Sequence, residues 1–593
     1  MRTRLVVLAL ACATAAFAQA EPPKIAWQEW SPAAFEQAKR EKRFVILDLH
    51  AGWCHWCHVM DETTYRDPRV VKLIAERFVP VGVDQDSRPD LANRYEDYGW
   101  PATIVLDAEG NEIVKRRGYR TPDEMASMLQ AIIDDPTPGP SVQVEKTVAF
   151  ASDAVISPER RRELEAAFVA GYDRKLGGWG FNQKYLYWDG VEYSLDLAAT
   201  GDRDAEKRAR DTLRAQLQLV DPSWGGVYQY SAEGDWKHPH FEKIMQMQAQ
   251  NMRIYARAFA QWKNPADLKA ARDINRFVAT FLTSPDGAFY TSMDADLKPG
   301  VQAEGYFRLS DAARRKKGIP RIDKHIYARE NGWMIDALVA LHDATGDESA
   351  LAQARRAAGW IVANRALPDG GFRHDDVDAA GPFLGDSLAM GRAFLALHAA
   401  TGERAWLDRA QAAAGFIAVN FRLPGGAGVA TSGTRPEEMP PPRPQFDENI
   451  ELARFANLLF HYTGNDADRE IAGVAMRYLA TSEITAPRRA YVAGVLLAAT
   501  EFGSEPLHVT VVGPRGDAAA RALVRAALGL PFGYRQLEQW DPASGQAATG
   551  GIEYPVLPKP AAFLCANGAC SLPLETPEAL RARVERSTQR ATK

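Results

Sequence analysis

One stretch near the N-terminus decides the fold: Phe44-Val-Ile-Leu-Asp-Leu-His-Ala-Gly-Trp-Cys-His-Trp-Cys-His58. Its first six residues form an apolar run with the length and composition of a buried strand. The Cys-x-x-Cys pair that follows, Cys54 and Cys57, lies where a helix is predicted to begin. A thiol at a helix N-terminus has a lowered pKa, because the helix dipole stabilises the thiolate. The stretch therefore predicts a reactive dithiol at the end of a buried strand.

The residues around the dithiol suggest a role for each group. Cys54 is predicted to attack a disulfide, and Cys57, one helical turn later, to resolve the mixed disulfide. His55 adds positive potential that stabilises the thiolate. Pro101 follows Trp100 just before another apolar run, and a cis bond is far more common before proline than elsewhere. We expect Pro101 to be cis and to present backbone to an incoming peptide.

Three other interpretations of the motif compete with the dithiol. Cys54 to His58 fits the C-x-x-C-H pattern of c-type haem attachment. Cys54, Cys57 and a histidine could hold zinc, although no second ligand pair is near in sequence. The pair could also form a merely structural disulfide. Because a strand leads straight into the motif and an α/β unit follows, the dithiol is favoured, and no metal or cofactor is predicted.

Residues 21–135 alternate between strand and helix patterns, which indicates an α/β unit and, with the Cys-x-x-Cys, a thioredoxin fold. The predicted strands are Phe44–Leu49, Phe78–Val83 and a hairpin of Thr103–Leu106 with Ile113–Arg116, and the predicted helices are Cys54–Asp61, Pro68–Phe78 and Pro122–Ile133. Residues 136–154 form a linker that begins with a run rich in proline.

Residues 155–504 have mostly helical periodicity. A phrase that ends in Thr-Gly recurs at Leu197-Ala-Ala-Thr-Gly-Asp202, Leu341-His-Asp-Ala-Thr-Gly-Asp347, Leu397-His-Ala-Ala-Thr-Gly-Glu403 and His461-Tyr-Thr-Gly-Asn465. Each glycine suits the left-handed position that ends a helix, and another helical segment follows within a few residues. The pattern predicts repeated helical hairpins, which either stack as a solenoid or close into an α/α toroid.

Residues 505–593 contain a predicted strand, Leu507–Val512, a predicted helix, Ala518–Leu528, and a loop-rich tail. The tail carries Cys565 and Cys570 with four residues between them. These cysteines could form a structural disulfide, or a second redox pair that relays electrons to the first. The relay requires the C-terminal segment to reach the dithiol.

The N-terminal residues and the net charge of the chain indicate where the protein is located and which partners it lacks. Residues 1–20 combine basic Arg2 and Arg4, an apolar run from Leu5 to Ala18, and an Ala-Gln-Ala cleavage site, which together predict a secretory signal peptide. We therefore expect a periplasmic or secreted protein with no membrane insertion after cleavage. The net charge of -5 over 593 residues shows no excess of basic residues, which a nucleic-acid-binding surface would need, so no nucleic-acid partner is predicted.

Several motifs resemble the spermatogenesis-associated protein 20 family, over about residues 40–590. They are WCHWCHVM at 53–60, Val83–Asp90, Gly99–Pro101, Trp236–Lys243, Phe289–Asp296 with Glu304-Gly305, Asn331-Gly332, and Cys565–Pro573. The resemblance implies a thioredoxin-like domain followed by an (α/α)6 toroid similar to six-hairpin glycosidases and sugar 2-epimerases. After these two domains, residues 505–593 are predicted to form a small α/β unit.

The resemblance also implies roles for particular residues. Thioredoxins have a buried acid six positions before the first cysteine, which relays the proton of the resolving thiol, and Asp48 holds that position here. The alternative for Asp48 is a solvated strand end. Sugar sites combine aromatic faces with paired carboxylates. The candidates for such a site are His240, Glu242, Asp294, Asp296 and Asp386. The first two could instead cap a helix or pair with Lys243, and Asp294 and Asp296 could simply form turns.

The chain departs from the family in three places. The family's Tyr-Asp-Asn-Ala string is replaced by Ile244-Met-Gln-Met-Gln-Ala-Gln250, which leaves fewer polar groups for sugar chemistry. The segment around Trp100 is shorter, and most members lack a signal peptide. The preferred function is an exported thiol–disulfide oxidoreductase that acts on a protein disulfide or dithiol partner, with the toroid as a recognition platform. The alternatives are a carbohydrate-active enzyme, an epimerase or hydrolase with a carbohydrate ligand and a regulatory thioredoxin domain, or a scaffold without chemistry.

Overall fold

The computed structural model describes residues 24–142, 148–378, 380–433, 441–544, 548, 552–566 and 569–591, which form three packed units. The predicted signal peptide, residues 1–20, lies outside the described residues. Within the described ranges, no helix combines the length and the apolar character that a membrane crossing requires.

The N-terminal unit is a four-stranded sheet with helices on both faces, as predicted. Its strands are β1 (Phe44–His50), β2 (Phe78–Asp84), β3 (Ala102–Leu106) and β4 (Glu112–Arg117), in the order β2-β1-β3-β4. Strand β1 is parallel to β2, whereas β3 is antiparallel to both β1 and β4. The helices are α1 (Pro32–Glu41), α2 (His55–Glu62), α3 (Pro68–Arg77), α4 (Pro89–Arg94) and α5 (Pro122–Asp134). The helices α1 and α4 have no counterpart in the prediction.

The position of β1 inside the sheet explains why its sequence is almost entirely apolar. Val45, Leu47 and Leu49 pack into the core on one face, whereas Ile46 packs into the core on the other. A strand buried on both faces needs apolar residues at successive positions, so the alternation typical of a half-exposed strand is lost. Asp48 is the exception in this strand, and it lies next to the site described below.

The second unit is a closed (α/α)6 toroid, which excludes the solenoid. Its inner helices are α7 (Trp188–Ala199), α9 (Met245–Trp262), α13 (Ala328–Thr345), α15 (Leu384–Thr401), α17 (Phe446–Thr463) and α20 (Ala493–Phe502). The outer helices are α6 (Pro158–Ala170), α8 (Arg203–Gln216), α10 (Pro265–Phe281), α14 (Glu348–Arg365), α16 (Arg404–Asn420) and α18 (Asp466–Ala480). The inner ring closes because α20 packs against both α17 and α7.

Short elements lie in the connections of the toroid. They are the strands β5 (Tyr230–Ser231), β6 (Pro239–His240), β7 (Lys243–Ile244), β8 (Ser292–Met293) and β9 (Ile322–Asp323), and the helices α11 (Glu304–Phe307), α12 (Asp311–Lys317) and α19 (Ser482–Thr485). Strands β7, β8 and β9 form one small antiparallel sheet, and this sheet carries several of the predicted site residues to the end of the toroid that faces the N-terminal unit.

The recurring Thr-Gly phrase marks the ends of inner helices, as predicted. Gly346, Gly402 and Gly464 follow α13, α15 and α17 in the left-handed conformation, with φ of 79°, 67° and 67°. After the first of these, the Asp347 side chain accepts the N–H of Ser349 and caps the next outer helix. The phrase therefore ends one helix and begins its hairpin partner, because glycine adopts positive φ without steric cost.

The N-terminal and C-terminal units cover opposite ends of the toroid. Residues before the inner helices contact the first unit: the His374 ring bonds to the Asp86 carbonyl, and Gln445 donates to Glu96. The far ends contact the last unit, where Arg535 pairs with Asp343 near the end of α13. An 18-residue helix such as α13 is about 27 Å long. The two outer units are therefore separated by the length of the toroid.

The C-terminal unit is more regular than the predicted loop-rich tail, and that prediction is wrong. Its strands are β10 (Leu507–Val512), β11 (Arg535–Trp540), β12 (Ala561–Ala566) and β13 (Ala569–Cys570), and its helices are α21 (Ala518–Leu528) and α22 (Pro577–Ala591). The sheet order, β11-β10-β12-β13, and the relative strand directions repeat those of the N-terminal sheet. Cys565 and Cys570 are cross-strand neighbours in this sheet and are joined by a disulfide.

Candidate dithiol site at the domain interface

The dithiol lies at the start of α2, where the sequence places it. Cys54 is the N-cap residue, and its Sγ accepts the backbone N–H of Cys57 at 3.2 Å. The two cysteines are joined by a disulfide, and each is 4% exposed. In the reduced form the same N–H and the helix dipole stabilise negative charge on the Cys54 sulfur. The geometry is therefore that of a polarised Cys-x-x-Cys pair.

Two hydrophobic neighbours complete the pocket around the sulfurs. The Trp100–Pro101 bond is cis, as predicted, and Trp100 packs against the cluster formed by Trp53, Cys54 and Cys57. Ile244 packs on the same cluster, although it belongs to the toroid. The toroid therefore covers the dithiol directly, which the sequence did not reveal.

Two histidines of the dithiol helix are hydrogen-bonded to the toroid. His55 Nδ1 lies 2.7 Å from Asp296 Oδ1, and His58 Nδ1 lies 3.1 Å from Asp296 Oδ2. Burial opposes protonation of His58, but the hydrogen bond to Asp296 and the charge of Asp294 outweigh it and raise the pKa of His58. Burial likewise opposes ionisation of Asp296, but its bonds to His55 and His58 hold its pKa below the usual range. The contact is therefore charge-assisted across the domain interface.

His58, Asp294 and Asp296 are the one group of three potential metal ligands found among the described residues. Ligand atoms of His58, Asp294 and Asp296 all lie within 4.8 Å of one another. Imidazole nitrogen and carboxylate oxygen suit a divalent cation. However, Asp296 already bonds to both histidines, and His58 Nε2 bonds to the Gly52 carbonyl at 3.2 Å. A cation here would have to displace these bonds, so the arrangement is a hydrogen-bonded clamp.

The acid that precedes the dithiol is buried, so the solvated alternative for Asp48 is wrong. Asp48 is 4% exposed; its Oδ1 accepts the Tyr65 hydroxyl at 2.8 Å, and its Oδ2 lies 3.1 Å from His50 Nδ1. The bond to Asp48 and its charge outweigh burial and raise the pKa of His50 to about 9. Asp48 is thus paired with a cation, and its proton-relay role stays a prediction. His50 lies two residues along the same strand, a spacing that places both side chains on one face.

The first two candidate sugar residues lie beside the dithiol helix. The His240 ring stacks on Tyr230 at 4.1 Å, and burial together with the His55 charge lowers the pKa of His240 to about 4. Glu242 is 3% exposed, and burial raises its pKa to about 7. Lys243 does not pair with Glu242, because its Nζ bonds to Asp221 Oδ2 at 2.6 Å. The expected alternative of a Glu242–Lys243 ion pair is therefore wrong.

The last candidate, Asp386, also connects the two units. Its Oδ1 accepts the backbone N–H of Arg329 at 2.9 Å and lies 2.9 Å from His374 Nδ1. His374 Nε2 lies 2.6 Å from the Asp86 carbonyl of the N-terminal unit. The charge of Asp386 and its hydrogen bond outweigh burial and raise the pKa of His374 to about 9. A protonated His374 donates to both units.

A cavity of about 290 Å³ lies between the N-terminal unit and the toroid. None of the five candidate sugar residues lines this cavity, so their sugar-binding role stays a prediction. Its aromatic and acidic lining consists of Trp53, Trp100, Trp188, Trp333, Asp86, Glu96, Glu330, Asp447, Glu448 and Glu451. Sequence reasoning missed the toroid members of this set. Glu330 alone had a signal, because it directly precedes the Asn331-Gly332 motif.

The second cysteine pair lies far from the first. Cys565 is buried in β12 and Cys570 is exposed in β13, both in the unit at the other end of the toroid. A direct relay needs sulfurs that can meet, and the toroid lies between them. The alternative of an electron relay to Cys54 and Cys57 therefore has no route in this arrangement, and the structural disulfide is the interpretation that fits.

Comparisons with known proteins agree with these units. The Thioredox_DsbH family model, described as a protein of unknown function, DUF255, matches residues 10–133. Human spermatogenesis-associated protein 20 is 26% identical over 312 residues, which is 46% of this chain and 39% of the human protein. The thiol:disulfide interchange protein DsbD of Ralstonia nicotianae is 35% identical over 104 residues, 17% of each chain. This chain thus matches less than half the length of these relatives.

Solved structures resemble the toroid. A sugar epimerase from a ruminal bacterium has a TM-score of 0.42 at 14% identity and covers 53% of this chain and 85% of its own. A D-mannose isomerase has a TM-score of 0.44 at 13% identity, with coverage of 58% and 95%. The ring of helix pairs described above establishes the toroid by its own packing. The chain therefore combines a thioredoxin-like domain, similar in sequence to part of DsbD, with a toroid of six helix pairs, and the predicted resemblance to spermatogenesis-associated protein 20 is confirmed.

Proposed function

We propose that this chain is an exported thiol–disulfide oxidoreductase that exchanges its Cys54–Cys57 pair with a disulfide or dithiol of a partner protein. The observation that carries the proposal is the Cys54 sulfur at the start of α2, 3.2 Å from the Cys57 N–H and beside the cis peptide of Pro101. The match to a protein named for thiol:disulfide interchange supports it. The toroid then acts as the recognition platform.

The exchange needs no further reactant. In the reducing direction the Cys54 thiolate attacks one sulfur of the substrate disulfide, and the other substrate sulfur leaves as a thiolate. The Cys57 thiolate then attacks the Cys54 sulfur, which releases the second substrate thiolate and forms the Cys54–Cys57 disulfide. Two electrons pass to the substrate. The reverse sequence oxidises a substrate dithiol, and the reduction potential of the pair determines the direction.

The toroid restricts which disulfides reach the site. Cys54 and Cys57 are each 4% exposed, because Ile244 packs on them and Asp296 binds the histidines of their helix. A large folded substrate therefore needs the two units to separate, whereas a narrow extended segment needs a smaller opening. This burial is the physical basis for a recognition role of the toroid.

Export is the remaining part of the proposal. It rests on the basic, apolar and small-residue regions of residues 1–20. An oxidising compartment also suits a chain with two disulfides. Fusion of residues 1–20 to a reporter that is active only outside the cytoplasm tests this part. An inactive reporter would contradict export without affecting the redox proposal.

The redox proposal is tested by insulin reduction with the purified mature chain and a chemical reductant as electron source. We expect Cys54→Ser to abolish the turnover and Cys57→Ser to accumulate a mixed disulfide with insulin. The matched control is the double variant Cys565→Ser/Cys570→Ser, which removes the other disulfide and should keep full activity. If the Cys54→Ser protein reduces insulin as fast as the parent does, the proposal fails.

A further inference from the structure

The cavity of about 290 Å³ between the N-terminal unit and the toroid is built by both units. Trp53, Asp86, Glu96 and Trp100 are among the lining residues of the N-terminal unit, and the first turns of several inner helices supply most of the lining from the toroid. The volume lies near the lower end of the range for small-molecule sites. None of the sulfurs lines it, but Trp53, Trp100 and Ile244 contact both the cavity and the dithiol, so the cavity adjoins the exchange site.

The lining is rich in carboxyl groups. Six carboxyl groups, Asp86, Glu96, Glu330, Asp447, Glu448 and Glu451, face one lining arginine, Arg329. Three of the carboxyls have ion-pair partners: Glu330 with Arg329 at 2.6 Å, Glu96 with Arg488 at 3.1 Å, and Glu451 with Arg392 at 3.0 Å. Within the described ranges, Asp86, Asp447 and Glu448 have no cationic side chain at ion-pair distance. Burial raises the pKa of Asp86 well above its usual value and raises the pKa of Asp447 and of Glu448 to about 7, so a cation bound beside these groups would favour their ionised forms.

Two buried polar atoms of the lining lack partners. Glu330 is 3% exposed, and its Oε2 has no hydrogen-bond partner among the residues that the structure describes. The Trp333 Nε1 donor is likewise unpartnered within that part of the chain. A buried donor or acceptor without a partner is unfavourable, because it has lost its hydrogen bonds to water. A ligand with both a donor and an acceptor group satisfies both atoms.

The aromatic lining of the cavity suits a ligand that has a positive charge and an apolar face. The cavity has four indole rings, those of Trp53, Trp100, Trp188 and Trp333. An indole face attracts a cation through its quadrupole, and the Arg329 guanidinium already lies 4.9 Å from the Trp333 ring centre. Indole rings also bury apolar ring faces of a ligand.

We infer that this cavity binds a small protonated amine that also carries hydroxyl groups. Its ammonium group donates to Glu330 Oε2 in a cavity that also contains the carboxyls of Asp86, Asp447 and Glu448, and a hydroxyl oxygen accepts from Trp333 Nε1. Because burial raises the pKa of Glu448 to about 7, a bound cation also favours the ionised form of this residue. The ligand contacts both units and so stabilises their closed arrangement.

Isothermal titration calorimetry at pH 7 tests the inference with three probes of similar size: glucosamine, glucose and glucuronate. We expect glucosamine to bind at least tenfold more tightly than glucose, and glucuronate to bind weakest, since its carboxylate would lie among six carboxyl groups while the lining arginine is already paired with Glu330. Glu330→Gln and Glu448→Gln should each weaken glucosamine binding at least fivefold. The exposed Glu483→Gln is the charge-matched control and should bind as the parent does.

Two results would overturn the inference. One is glucose binding as tightly as glucosamine, which would indicate a neutral sugar site, and the other is no heat of binding with glucosamine at millimolar concentration. If Glu330→Gln unfolds, Glu448→Gln alone decides the contribution of the carboxylates. Cys54→Ser should bind glucosamine normally, so a failure of the redox proposal leaves this test intact.

Discussion

The Nδ1 atom of His55, a residue inside the Cys-x-x-Cys motif, lies 2.7 Å from the Oδ1 atom of Asp296 in the toroid. The two residues are 241 positions apart, yet their contact links the redox helix to the packing of the two units. His58 bonds to the second oxygen of the same carboxylate. The chemistry at Cys54 and the opening of the interface are therefore coupled through Asp296.

Asp296→Asn should open the dithiol to large reagents. The substitution removes the charge that binds both histidines, so the interface weakens. In a background with Cys57, Cys565 and Cys570 changed to serine, we expect the alkylation rate of Cys54 by a polyethylene glycol maleimide to rise several-fold more than the rate with iodoacetamide. Asp369→Asn, an exposed site, is the control. Equal changes in the two rates would show an effect on thiol ionisation and not on access.

The interdomain contact of His374 predicts a loss of stability at high pH. The folded-state pKa of about 9 lies above the usual value of 6.5, so the stabilisation is full below about pH 6.5 and is lost as pH rises through 9. A difference of that size corresponds to about 3 kcal/mol at most. Urea unfolding at pH 6.5 and pH 9.5 measures the drop, and His374→Gln should show a smaller one. His50 still titrates in that variant, so some drop remains; an unchanged drop would refute the role of His374.

The pairing of Asp48 with His50 makes a prediction for NMR titration. In Asp48→Asn the cation loses its partner while burial remains, so the pKa of His50 should fall from about 9 to below 6.5. Tyr65→Phe removes the other hydrogen bond of Asp48 and leaves its charge, so the pKa of His50 should stay raised. If both variants behave alike, the charge of Asp48 is not the cause.

The buried ion triad of the toroid should be essential for stability. Asp221 bonds to Lys243 Nζ at 2.6 Å and to Arg314 at 2.5 and 3.0 Å, and all three side chains are fully buried. Asp221→Asn leaves two buried cations without a partner and should cost about 3–5 kcal/mol in the free energy of unfolding. The exposed pair of Arg404 and Asp408 provides the control, since Asp408→Asn should cost less than about 1 kcal/mol. Similar losses in the two variants would contradict the importance of the triad.

The sequence alone predicted the parts of this protein that local interactions determine. The apolar run of β1, the start of α2 at Cys54, the cis bond before Pro101 and the glycine ends of α13, α15 and α17 were all predictable. Each depends on strand burial, on backbone hydrogen bonds within a few residues, or on the conformational freedom of one residue type. Such signals lie within a short window of the chain.

The contacts between the units were determined only by the tertiary structure. Asp294 and Asp296 looked like members of a sugar site, but the packing of the toroid places them on the dithiol helix. Glu330 and Trp53 share one cavity although 277 positions separate them in sequence. These relationships depend on which end of the helical ring each outer unit covers, and that choice results from the sum of many weak contacts between distant residues. A local sequence pattern carries no information about this sum, so the arrangement of the units could not be predicted from the sequence.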